Sequence, residues 1–211
     1  MRTGGLRQAQ RPVRAPLWVQ LADGLRYAAR TPELAFPLVI LALVGTFGYN
    51  FGVALPLLAR YALDVGAVGF GNLNVAMGIG SLIGAIGVAA RAAPSPRVLL
   101  LSAAGFSLLL LGVALVPWYL AALALLVVLG LVGITYTAST NTILQLGSRE
   151  EYRGRVLSLY TLLFAGTTPI GAAITGALAD AWGIRAAMAT EAGVCLVGVA
   201  IGFVYWKLRG K

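Results

Sequence analysis

Long apolar runs, interrupted at near-regular intervals by short clusters of charge and proline, set the pattern of this chain. A bilayer core takes about 20 apolar residues per helix. Six segments meet that length, at 37–59, 66–90, 98–116, 118–146, 156–178 and 186–206. Their boundaries are Arg60 and Asp64, then Arg91 with Pro94 and Pro96, then Pro117, then the charged stretch 149–155, and finally Asp180 to Arg185. Connections this short force neighbouring helices to run antiparallel. The strands of an outer-membrane barrel are ruled out, because they alternate polar and apolar residues over about ten positions. The pattern predicts an all-α, polytopic membrane protein with six transmembrane helices.

Composition supports the same class. Apolar residues make up 59% of the chain and charged ones 11%, too little polar surface to cover a soluble domain of this length. The distribution of charge then orients the spans. With the N-terminus inside, Arg2, Arg7, Arg11, Arg14, Arg26, Arg30, Arg91, Arg97, Arg149, Arg153, Arg155, Lys207, Arg209 and Lys211 fall on one side, and only Arg60 and Arg185 on the other. Lys and Arg of short loops are retained in the cytoplasm. Both termini are therefore expected to be cytoplasmic, in a multi-pass membrane protein. Topology thus accounts for the net charge of +9, and no nucleic-acid partner is needed to explain it.

Residues 1–36 precede the first span, 37–206 form the expected transmembrane domain, and 207–211 form a short cytoplasmic tail. The first segment is not a signal peptide, since Pro12, Pro16 and Pro32 punctuate it and no apolar run follows its first arginines. Trp18, Leu21, Leu25 and Ala28 recur at helical spacing with Arg26 and Arg30 off the stripe, which suits a short amphipathic helix on the membrane surface. A poorly ordered linker is the alternative.

Polar residues inside the spans are the candidate chemistry. In the fourth span Thr137, Asn141 and Gln145 form a line at four-residue spacing, with Thr135, Ser139 and Thr142 beside it. In the first span Thr46, Tyr49 and Asn50 lie within one turn. Amides in a bilayer are costly unless they pair or meet water. Two readings stay open for these stripes: hydrogen bonding between helices, or a shared aqueous pathway for a small-molecule substrate. The third span has only Ser102 and Ser107 as hydroxyls, and such a helix can face lipid. The second and fifth spans are rich in small residues, among them Ala76, Gly80 and Gly84, then Gly166, Gly171 and Gly176 with Pro169 between. Small residues let helices pack backbone to backbone, either statically or as a sliding pair.

Glu191 is the one ionisable acid or base within a span. It lies roughly 7–8 Å from the outer end of the sixth helix. It is a candidate for proton coupling, with a structural role near the headgroups or beside Arg185 as the alternative. The chain has no His, a single Cys195 and no GxxxxGK[ST] sequence. A His/Cys metal site, a Ser-His triad and a P-loop motor are therefore not expected, and neither is a cofactor or an enzyme.

Several segments together resemble a known family. The stretch Glu151-Tyr152-Arg153-Gly154-Arg155-Val156, then a span containing Pro169-Ile170-Gly171, is similar to the loop entering the eleventh helix of major facilitator superfamily carriers. Gly176, Asp180, Gly183 and Arg185 fit the superfamily's GxxxDxxGxR signature in its second-half occurrence. The nearest branch is that of drug and siderophore exporters, enterobactin-exporter-like and also called transmembrane secretion effectors. Its central cytoplasmic loop is similar to the stretch from Leu25 to Leu34. The loop from Arg91 to Arg97 departs from the superfamily pattern, lacking the Asp and Gly expected after a second span.

The resemblance implies the C-terminal six-helix half of an efflux carrier that exports a small amphipathic molecule by alternating access, driven by protons. It places the two polar stripes on cavity helices, the Gly-rich spans between halves, and the third span outside. It assigns Arg153, Gly154, Arg155, Gly176, Asp180, Gly183 and Arg185 to structural or gating roles, with Asp180 and Arg185 holding the outer ends of the last two helices. Such carriers have twelve helices. The expected partner besides lipid is therefore a first six-helix half or a second copy of this chain. A non-transporting six-helix remnant or assembly partner is the competing expectation.

Overall fold

A computed structural model describes residues 17–90 and 95–209, and these are helical apart from short connections. The elements are α1 (Leu17–Arg30), α2 (Pro32–Gly48), α3 (Phe51–Leu57), α4 (Ala67–Ala89), α5 (Pro96–Leu115), α6 (Tyr119–Gly147), α7 (Glu150–Thr161), α8 (Thr168–Trp182) and α9 (Ile184–Arg209). A π turn at Leu58–Ala62 extends α3, and another at Leu162–Gly166 links α7 to α8. Six stretches among the described residues are long and apolar enough to span a membrane: Pro32–Ala62, Ala67–Ala89, Pro96–Leu115, Tyr119–Gly147, Glu150–Trp182 and Ile184–Leu208. The departing loop at 91–94 lies outside the described residues.

Two spans begin earlier than the apolar runs suggest. The first starts at Pro32, where a proline at the first helical position sacrifices no hydrogen bond, and it runs straight through Pro37. The fifth starts at Glu150, where two acids face the positive end of the helix dipole. These two spans are also the discontinuous ones. The first breaks at Tyr49–Asn50, and the fifth passes through its π turn three residues before Pro169. There the hydroxyls of Thr167 and Thr168 donate to the carbonyls of Leu163 (2.8 Å) and Phe164 (3.1 Å), meeting acceptors near the irregular turn.

Helix α6 packs along α4 and α5, and α9 packs along α2 and α5. The α4–α6 contact is backbone to backbone. A Cβ on Gly80 would overlap the carbonyl of Val127, and one on Gly130 would overlap that of Met77. The small stripe of the second span is thus used within this chain. Its opposite face, with Val75, Ile79, Leu82 and Ile86, is exposed. Over their most apolar stretches the second and fifth spans are only 22% and 11% buried, against 44–50% for the other four. The third span is less peripheral than expected. Half of it is buried, and Ser102 and Ser107 are buried and donate back to their own helix. Leu101, Leu108 and Leu115 form its outer face.

Residues 17–30 are helical, and α1 leans on α7. Tyr27 stacks on Tyr152 at 4.3 Å between ring centroids, and Tyr27 Oη accepts from the backbone N–H of Arg149 at 3.2 Å. Asp23 pairs with Arg155 at 3.5 Å, and Gly24 lies tight against the Arg155 backbone. The expected apolar stripe is divided: Ala28 is buried and Leu21 half-buried, while Trp18 and Leu25 are exposed.

Candidate functional site

The break in the first span organises the interior. A helix ending in mid-bundle leaves carbonyls without partners. Asn50 answers this locally, its Nδ2 donating to the carbonyls of Thr46 (2.9 Å) and Phe47 (3.4 Å). Its own carbonyl restarts the helix by accepting from the N–H groups of Val53 and Ala54. Tyr49 and Asn50 then serve different neighbourhoods.

Tyr49 enters an aromatic pocket. Its ring stacks on Phe106 at 4.7 Å and meets Phe164 and Phe51 edge-on at 5.0 and 6.0 Å. Its hydroxyl donates to the carbonyl of Gly133 at 2.9 Å. The pocket holds about 270 Å³, and Tyr160, Met77, Ser81 and Thr137 share its wall. The Thr137 hydroxyl donates back to Gly133 and Ile134 of its own helix, leaving its lone pairs as acceptors.

Asn50 turns into a buried polar cluster with Glu191 and Thr175. The three are 4%, 2% and 0% exposed, so a carboxyl group sits away from solvent among neutral partners. Thr175 Oγ1 donates to Glu191 Oε1 and also reaches the Gly171 carbonyl at 2.9 Å. Asn50 Nδ2 approaches Glu191 Oε1 at 3.4 Å. The amide orientation follows from the carbonyls that Nδ2 serves, and it leaves Asn50 Oδ1 buried without a hydrogen-bond partner. Gly171 allows this closeness. A Cβ there would overlap the Thr46 carbonyl and lie 2.6 Å from Asn50 Oδ1.

The six pathway candidates therefore divide into three groups. Tyr49 and Thr137 line the pocket. Asn50 belongs to the polar cluster, and Thr46 borders it through its carbonyl, its hydroxyl donating back to Ala42 at 2.6 Å. Asn141 and Gln145 pair with each other near the far end of α6, where Gln145 is exposed. The residues missed at the sequence level are Thr175 and the rings Phe51, Phe106, Tyr160 and Phe164. A lone threonine or scattered aromatics in apolar helices carry no local signal.

The motif residues also have observed partners. Arg185 does not pair with Glu191. Its guanidinium donates to the carbonyls of Ala114 (2.9 Å), Val116 (2.7 Å) and Ala62 (3.1 Å). A cation at the negative ends of two helices is favourable, so Arg185 joins the ends of the first and third spans to the start of the sixth. Asp180 is exposed. Gly183 has φ +81°, a conformation that favours glycine, and ends α8 by donating to Ala179 at 2.9 Å. Arg153 Nε donates to the Gln145 carbonyl at 3.2 Å at the end of α6. Arg155 holds Asp23, and no atom stands near a Cβ placed on Gly154 or Gly176.

Residues 7–210 match the family described as transmembrane secretion effector. The chain is also 32% identical over 192 residues to the multidrug efflux pump Tap of Mycolicibacterium fortuitum, covering 87% of this chain and 46% of that protein. It spans about half the length of that curated relative. With a match running almost end to end over a bundle of apolar helices, this chain belongs to the transmembrane secretion effector family of the major facilitator superfamily.

Proposed function

We propose that this chain is one six-span half of an efflux carrier, exporting a small amphipathic molecule by alternating access. The observation that carries the reading is the break at Tyr49–Asn50, which serves an aromatic pocket on one side and a buried carboxyl group on the other. Discontinuous helices in transporters commonly build their binding sites. The pocket offers stacking faces and a few hydroxyl acceptors, chemistry suited to an amphipathic guest. Thr46, Tyr49, Asn50, Thr137, Asn141 and Gln145 line or border the pathway.

Glu191 is the proton site. Thr175 has one hydroxyl proton and two acceptors within reach. With Glu191 ionised, that proton goes to the carboxylate. With Glu191 protonated, the acid donates to Thr175, which turns to the Gly171 carbonyl. The cluster accommodates both states by rotation of one hydroxyl.

The sparse cover on the second and fifth spans supports a partner there, either a first half of six spans or a second copy. The charge asymmetry supports a bacterial inner-membrane location with both termini in the cytoplasm. On that topology residues 1–36 are a cytoplasmic loop carrying α1, 37–206 the membrane domain and 207–211 a cytoplasmic tail.

The test is proton-driven accumulation of a fluorescent amphipathic dye in everted vesicles holding this chain together with a first six-span half. Glu191→Gln is expected to abolish accumulation while dye binding persists. Unchanged accumulation would remove Glu191 from coupling, and no accumulation by the unmodified pair would sink the carrier reading. With Cys195 replaced by Ala, Cys at position 49 or 141 should react with a polar thiol reagent from one side. Protection from both sides favours the non-transporting assembly partner.

A further inference from the structure

We propose that the seam between α5 and α9 is a binding site for an anionic phospholipid, with an acyl chain in the seam and the phosphate against Arg97. A groove of about 620 Å³ runs between these helices, away from the aromatic pocket and the Glu191 cluster. Its walls are Leu100, Leu101, Leu196, Val199 and Phe203, and the small side chains of Ala104 and Ala200 hollow it out. Only one charged residue borders the groove, Arg97, and Trp206 is the one indole on its wall. Trp206 leans on Phe203 at 6.3 Å between centroids, forming an aromatic wall.

The chemistry along the groove is that of a phospholipid. Its long apolar part removes a hydrocarbon chain from the bulk lipid, and Trp indoles favour the headgroup level. Arg97 is exposed and has no acidic partner: among the described residues the one ion pair is Asp23–Arg155. A guanidinium suits a phosphate through its planar set of donors. The lone positive charge also selects among amphiphiles. It repels a cationic one and favours a net-anionic lipid over a zwitterionic one by about fivefold, the contribution of a single basic residue. On the topology proposed above this headgroup belongs to the cytoplasmic leaflet, whose anionic lipids supply such a ligand.

The test uses the full chain with Trp18, Trp118 and Trp182 replaced by Phe, so that Trp206 is the sole indole. In vesicles, phosphatidylglycerol with brominated acyl chains is expected to half-quench Trp206 at about a fivefold lower mole fraction than brominated phosphatidylcholine. Arg97→Lys should keep most of that preference and Arg97→Gln should remove it. Ala104→Phe, which fills the seam while leaving the charge, should weaken quenching by both lipids. Equal quenching by the two lipids in the parent protein overturns the proposal, as does a preference that survives Arg97→Gln. Undiminished quenching in Ala104→Phe places the acyl chain elsewhere and overturns it too.

Discussion

The two sides of the first-span break use polar groups in opposite ways. On the Tyr49 side there is room: aromatic faces, a cavity of about 270 Å³, and hydroxyls that bond to backbone carbonyls. On the Asn50 side there is none. Gly171 presses on the Thr46 carbonyl, Thr175 is fully buried, and a carboxyl group is packed among neutral partners. Adjacent residues of one chain thus border an open aromatic pocket and a close-packed polar cluster. The contrast shows how a helix break serves two purposes. It frees carbonyls that demand polar partners, and it turns consecutive side chains toward different helices.

Substitutions can break or sharpen that contrast. The largest effect is expected at Gly171. Leu at this position meets backbone rather than flexible side chain, so the loss should be about 3 kcal/mol or more, read as a collapse of the thermal transition in detergent. A normal transition would mean that α8 and α2 are not closely packed. Asn50→Ala comes next. It leaves the Thr46 and Phe47 carbonyls and Glu191 without the amide, at a cost of about 1–3 kcal/mol in the same measurement.

Tyr49→Phe keeps the stacked ring and deletes one hydroxyl bond, costing about 1 kcal/mol in stability. Dye affinity, measured by fluorescence titration, should move with this substitution and not with Thr175→Val; the reverse result would place the guest at the polar cluster. The smallest change in stability, within about 0.5 kcal/mol, is expected for Asn141→Leu with Gln145→Leu, because that pair lies near the end of α6 and Gln145 is exposed. If transport in the everted vesicles also survives this double substitution, the two amides leave the pathway.

Much of the architecture was legible because a bilayer imposes a length and a polarity that single residues cannot hide. Six apolar runs became six spans, and the largest shifts at their starts came where Pro32 or Glu150 could serve as a helix start. The site was legible in part. Tyr49, Asn50 and Glu191 stood out as polar residues in apolar helices, but their grouping did not. Glu191 could be imagined beside Arg185, six residues earlier on the same helix. Instead Arg185 reaches the carbonyls of Ala62, Ala114 and Val116, and Glu191 faces residues 16 and 141 positions away. The small-residue stripe of the second span could not reveal whether its partner lay inside or outside the chain, because Gly80 needs close contact in either case.

The sequence by itself determined six runs long and apolar enough to cross a membrane, and that the basic residues gather in alternate connections between them. Both are local sums of transfer free energy and charge along the chain. The tertiary structure decided that Tyr49 and Asn50 part company, that Thr175 completes the Glu191 cluster, and that Arg97 and Trp206 border one groove between α5 and α9. Those facts depend on which helix faces which. That choice is made by packing between residues far apart in the chain, and no local pattern records it.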